Sequence, residues 1–97
     1  MTVIGIDAGG TRTVGYLADA DARVLATARG PGANLHSEDE AGVERVLRDL
    51  IASLMSAGSV DPVAAVGAGM AGAARPEDVA SITRVLDRIL PGVPGRI

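Results

Sequence analysis

The 97 residues contain no cysteine and no lysine. Without cysteine there is no disulfide, no thiolate zinc site and no cysteine nucleophile, which suits a reducing, cytoplasmic setting. Without lysine there is no ammonium for a Walker-A phosphate loop or for the strand lysine of protein kinases, since both need one. Phe and Trp are absent and Tyr16 is the single aromatic residue, so the core must be built from Val, Leu, Ile and Ala. With only His36 as an imidazole, zinc and a Ser-His-Asp arrangement are both disfavoured. A net charge of −3 and the lack of a basic stripe argue against a nucleic-acid surface. No stretch approaches the roughly 20 apolar residues of a membrane span, and the N-terminus lacks the basic and apolar segments of a signal peptide. What remains is 47% hydrophobic with a mean hydropathy of +0.30. That composition excludes a disordered tail and fits one small, soluble, globular domain or part of one.

The order of elements follows from the patterning. Thr2 to Asp7, Thr11 to Ala18 and Arg23 to Ala28 have strand character and are joined by Gly9-Gly10 and Asp19-Ala20-Asp21. Short turns of this kind predict an antiparallel meander. Gly30-Pro31-Gly32-Ala33-Asn34 is a loop by composition. Ser37 is placed to cap a first helix, with Glu40 completing a capping box. The apolar stripe of that helix is Val43, Val46, Leu47, Leu50, Ile51 and Leu54, and Gly58 stops it. Arg45, Arg48 and Asp49 fall on its solvated side. Val63 to Gly67 suits a buried parallel strand. Pro76 opens a second helix with Glu77 and Asp78 in its first turn and a stripe of Val79, Ile82, Leu86 and Ile89. Gly95-Arg96-Ile97 has the look of a further strand. The expected architecture is α/β: a three-strand antiparallel meander followed by helix-strand-helix, a mixed sheet with helices against its faces.

Chemistry concentrates in Asp7-Ala8-Gly9-Gly10-Thr11-Arg12-Thr13. A carboxylate ends one strand, two glycines make the turn, and hydroxyl residues open the next strand. Successive N–H groups in such a turn can cradle phosphate oxygens without lysine. The carboxylate beside them would hold Mg²⁺, usually through water. The same residues would also suit an ordinary glycine hairpin with an exposed aspartate.

The pattern D-x-G-G-T-x-T after an apolar first strand resembles the first phosphate motif of the actin-like ATPase superfamily. Together with G-P-G-A-N at 30–34 and V-G-A-G-M-A-G-A-A-R-P-E-D at 66–78, the chain resembles the BadF/BadG ATPase family, which includes N-acetylglucosamine kinases. The resemblance covers nearly the whole chain. It implies a ribonuclease H-like N-terminal lobe, and ATP with Mg²⁺ as cofactors. It also implies phosphorylation of an amino sugar, N-acetylglucosamine above all. On matching positions, Asp7 would be the metal-associated catalytic carboxylate, and Gly9, Gly10, Thr11 and Thr13 would line the phosphates. Arg12 occupies a variable position of the motif, where it either touches phosphate or faces solvent, with solvent favoured. Asn34 would hydrogen-bond sugar hydroxyls, and Gly69 to Gly72 would line the cleft, Gly72 on the substrate side. In these kinases the general base and a second phosphate motif come later, here beyond Ile97. The chain is therefore expected to work with the remainder of a longer kinase, and a homodimer is left open. A non-catalytic nucleotide-sensing or activator module of the same family is the alternative.

Gly67-Ala68-Gly69-Met70-Ala71-Gly72 satisfies G-x-G-x-x-G, the dinucleotide fingerprint. Against that use, Pro76 would fall inside the helix that the third glycine opens, at a cost of about 3 kcal/mol or more. Asp87 also lies on the second helix instead of ending a strand. These small residues would equally permit close strand–helix packing. His36, next to the Asn34 loop, is expected at the surface, and Met55 and Met70 are expected to pack.

Overall fold

A computed structural model describes residues 1–34, 39–57, 62–70 and 75–97. Five strands, β1 (Thr2–Ala8), β2 (Arg12–Asp19), β3 (Val24–Pro31), β4 (Val63–Met70) and β5 (Gly95–Arg96), combine with two helices, α1 (Glu40–Ala57) and α2 (Pro76–Ile89). The sheet order is β3-β2-β1-β4-β5. β1, β2 and β3 form the expected antiparallel meander. The sheet as a whole is not a plain meander, because β4 joins the other side of β1 in parallel and β5 extends it in the same direction.

Strand alternation sorts the side chains onto two faces. Thr2, Ile4, Ile6 and Ala8 of β1 are buried, while Val3 and Asp7 between them are exposed. The buried face carries Ile4, Ile6, Ala8, Leu17, Ala26, Val66 and Ala68. Val43, Leu47, Leu50, Ile51 and Leu54 of α1 and Ile82, Val85 and Leu86 of α2 complete one core with it. That core is aliphatic, as the composition requires, and Tyr16 stays 43% exposed. α1 lies over β2 and β3, and α2 contacts α1 and β5. α1 sits close because Gly15 has no side chain: a Cβ there would come within 2.8 Å of Leu50 Cδ2.

Several expectations need correcting. Both helices lie against one face of the sheet instead of sharing its two faces. The opposite face presents Gly5, Asp7, Gly67 and Gly69 near its centre, which offer little apolar surface to hold a helix. Gly30 and Pro31 belong to β3, paired with Thr13 and Arg12, rather than to a loop. Proline is tolerated there because β3 is an edge strand and its missing N–H leaves no ladder bond unmade. The cap of α1 is Asp39, whose Oδ1 accepts from Gly42 N at 2.8 Å. Ser37, the expected cap, and Gly58, the expected stop, lie outside the described residues. In α2, Val79 is exposed and Val85 takes its place in the core. Pro76 does open α2, and Asp78 Oδ2 accepts from the Arg75 backbone N–H at 3.3 Å and from Arg75 Nε at 3.2 Å.

Candidate functional site

The β1–β2 hairpin is closed by Gly9 N donating to Arg12 O at 2.9 Å. The segment leaving β3 folds back on it. Ala33 N donates to Gly9 O at 3.0 Å, and Ala33 is fully buried. Gly32 packs against the Gly10–Thr11 peptide so closely that a Cβ on Gly32 would overlap the Gly10 carbonyl oxygen. Only glycine lets the two backbones approach this far. The contact carries Asn34 to the hairpin, where its Nδ2 lies 4.0 Å from the position a Gly10 Cβ would take. Two motifs separated in sequence, the D-A-G-G-T turn and the G-P-G-A-N segment, thus form one corner.

Beside this corner an open cleft of about 400 Å³ is lined by Asp7, Gly9, Thr11, Arg12, Val14, Tyr16 and Arg29. Asp7, Arg12, Val14, Tyr16 and Arg29 come from the sheet face that the helices leave uncovered, and Gly9 and Thr11 from the β1–β2 turn. Register explains the set. Asp7 is paired with Val14 on one side and Gly69 on the other, and Val14 is paired with Arg29. A row Gly69–Asp7–Val14–Arg29 therefore crosses four strands. Arg12, two residues before Val14, borders it. Asp7 forms no ion pair with either arginine among the described residues.

The site residues expected from the sequence are placed as follows. Asp7, Gly9 and Thr11 line the cleft, and so does Arg12, which is exposed there as expected of a residue facing solvent. Gly10 is exposed at the turn. Thr13 points the other way: its side chain is fully buried and its Oγ1 donates to Pro31 O at 2.8 Å. That hydroxyl fastens β2 to the end of β3 and is not offered to a ligand in the cleft. Gly72 and His36 lie outside the described residues. Gly67 and Gly69 are mid-strand residues of β4, paired with Gly5 and Asp7. They do not form the strand-to-helix turn that the dinucleotide fingerprint requires. Val14, Tyr16 and Arg29 were missed. Alternation from Arg12 gives the first two, but Arg29 joins them only once the β2–β3 register is known.

A divalent cation is compatible with the donors present. Asp7 is the one carboxylate lining the cleft, and no group of three or more metal-ligating side chains occurs among the described residues. This suits Mg²⁺, which keeps several waters and is held by one or two carboxylates together with substrate phosphates. No helix among the described residues is long and apolar enough to cross a membrane.

No protein-family model matches the chain, and no curated protein does. Solved structures do. A protein assigned as an N-acetylglucosamine kinase from Porphyromonas gingivalis superposes with a TM-score of 0.76 at 22% identity, over 97% of this chain and 32% of that one. One of the same assignment from Chromobacterium violaceum gives 0.68 at 23% identity, over 98% and 33%. A ROK family glucokinase from Streptomyces griseus, in complex with glucose and AMPPNP, gives 0.70 at 19% identity, over 98% and 32%. Over the matched part the chain therefore shares the fold of these proteins. It spans about a third of their length.

Proposed function

We propose that this chain is the phosphate-binding part of an ATP-dependent sugar kinase acting on an N-acetylated amino sugar. The observation that carries the reading is the corner where the Asp7–Thr11 hairpin meets Asn34. The fold shared with sugar kinases supports it, as does the glucose and AMPPNP complex of one such neighbour. In this reading the N–H groups of Gly10 and Thr11 receive phosphate oxygens, while the Gly9 N–H, held by Arg12 O, keeps the turn closed. Asp7 would hold Mg²⁺, which would supply positive charge to neutralise the phosphates. The Asn34 amide, both donor and acceptor, orients a sugar hydroxyl. The hydroxyl oxygen bonds to the γ-phosphorus while the bond to the ADP oxygen breaks. The hydroxyl proton leaves to a general base elsewhere in that kinase. Catalysis is then chiefly positioning and charge stabilisation. A nucleotide-sensing module would use the same hairpin but has no need of an amide held beside it.

The test is an NMR titration of the isotopically labelled chain. Mg·ATP should shift the amides of Gly10 and Thr11, and Asp7→Asn should abolish the Mg²⁺-dependent part of that affinity. N-acetylglucosamine should shift the Asn34 side-chain amide. Shifts confined to the helices, with a silent hairpin, would overturn the reading.

A further inference from the structure

Arg29 is absent from every motif in the chain, yet the fold delivers it to the cleft. It sits opposite Val14, while Arg12 sits opposite Pro31. Arg12 and Arg29 are thus diagonal neighbours on the open face of an antiparallel pair, a separation of about 7–8 Å and somewhat less between Cβ atoms. That is within easy reach of two long side chains, and both line the same cleft. Arg23, Arg48, Arg75, Arg84 and Arg88 each have a carboxylate within ion-pair distance. Arg12 and Arg29 have none among the described residues, although Asp7 lies in the same row. Two like charges held together without a counter-ion are mutually unfavourable, and a bound anion between them would reverse the sign of that interaction.

We propose that Arg29 and Arg12 form a guanidinium clamp for phosphoryl oxygens, with Arg29 a binding residue that no motif in the sequence identifies. The inference rests on the reading of the Gly9–Thr11 turn as a phosphate cradle, which borders the clamp. Guanidinium forks match phosphate oxygens two at a time, which an ammonium cannot do. Along β2 the cleft then divides by charge. Asp7, on the central strand, is the cation side, and Arg12 with Arg29, toward the β3 edge, is the anion side. The shared ligand chemistry is a terminal phosphate group, available either from a nucleotide or from a phosphorylated sugar product.

The experiment follows the side-chain Nε–Hε signals of Arg12, Arg29 and Arg23 by NMR while the chain is titrated at constant ionic strength. The probes are inorganic tripolyphosphate and, separately, N-acetylglucosamine 6-phosphate. Arg23 is the internal control, being exposed in the β2–β3 turn at the far end of the hairpin from Arg12 and Arg29. The expected result is saturable movement of Arg12 and Arg29 with Arg23 still. Arg29→Gln should weaken binding about fivefold to tenfold and Arg29→Lys by less, because a point charge replaces a fork. A larger effect with tripolyphosphate identifies the nucleotide as the source, and a larger effect with the sugar phosphate identifies the product. Equal movement of all three arginines, or affinity indifferent to Arg29→Gln for both probes, overturns the clamp. If the hairpin amides respond while Arg29 does not, the clamp fails and the phosphate cradle stands. If Arg29 responds while the hairpin stays silent, the clamp stands and the cradle reading fails.

Discussion

Ala22 is the single non-glycine residue with positive φ among those described, at 63°. It closes the β2–β3 turn, where Ala22 N donates to Asp19 O at 3.0 Å and Asp19 Oδ1 accepts from Asp21 N and Arg23 N. A left-handed conformation costs an L-residue roughly 1–2 kcal/mol, of which glycine's greater unfolded-state entropy returns part. Ala22→Gly should therefore stabilise the chain by about 0.5–1 kcal/mol, read as a higher urea midpoint with an unchanged m-value. Glycines at two close approaches should respond unequally to a methyl group. At Gly15 the obstacles are Leu50 and Leu54 side-chain atoms at 2.8–3.1 Å, and terminal carbons can rotate. At Gly32 the obstacle is the Gly10 carbonyl, with Thr11 N at 2.9 Å, and backbone cannot yield without moving the hairpin. Gly32→Ala should cost about 1–3 kcal/mol, the range of overpacked sites, and more than Gly15→Ala. Of the two, only Gly32→Ala should also weaken phosphate binding. Thermal melts of both variants beside a titration would check the ranking.

The two helices are tied on their outer side by a charge network. Arg88 donates to Glu44 Oε1 at 2.7 Å and to Glu40 Oε2 at 2.8 Å, while Arg84 donates to Glu40 Oε1 and Arg48 to Glu44 Oε2. The Arg88 and Arg84 guanidiniums hold the Glu40 carboxyl below its ordinary value of 4.5, and Arg48 and Arg88 do the same for Glu44. A carboxylate whose folded pKa is depressed adds stability above its unfolded pKa, and that stability is lost as pH falls through the folded value. The Glu40→Gln/Glu44→Gln chain should be less stable than the parent at pH 7, with the gap closing below about pH 4.5. High salt should narrow the gap as well, because these side chains are partly in solvent. Denaturation midpoints from pH 7 to pH 3, at two salt concentrations, test this. A gap unchanged from pH 7 to pH 3 would show that the loss lies in packing and not in charge.

At the scale of the molecule, one face of the sheet is covered by helices and the other carries the cleft. An exposed cleft exchanges water freely, whereas phosphoryl transfer needs its reactants held about 3–3.5 Å apart in defined geometry. Asp7 is the cleft's one carboxylate, and in the proposed function it serves the metal. The chain by itself should therefore bind Mg·ATP weakly and show no transfer to N-acetylglucosamine. A coupled ADP-release assay checks this. Turnover that disappears in Asp7→Asn would mean that a chain a third the length of its structural neighbours is already a working enzyme.

Local patterning alone determined much of this protein. Alternation of β-branched residues marked β1 and β2, Pro76 marked the start of α2, and the stripe from Val43 to Leu54 marked the buried side of α1. The hairpin from Asp7 to Thr11 was legible because its chemistry is contiguous: a carboxylate, two glycines and a hydroxyl within five residues. Absence of Phe and Trp settled the aliphatic core. What sequence could not supply was anything set by pairing between distant strands. A period of two says that Thr13 and Arg12 lie on opposite faces, but not which face the helices cover, so the burial of Thr13 was decided by packing. A one-residue slip of β3 would turn Arg29 to the other face. Only the tertiary register placed Arg29 beside Arg12 and brought Asn34 to the hairpin through the close approach of Gly32. Such contacts depend on the free energy of the whole sheet rather than on the preferences of the residues that make them.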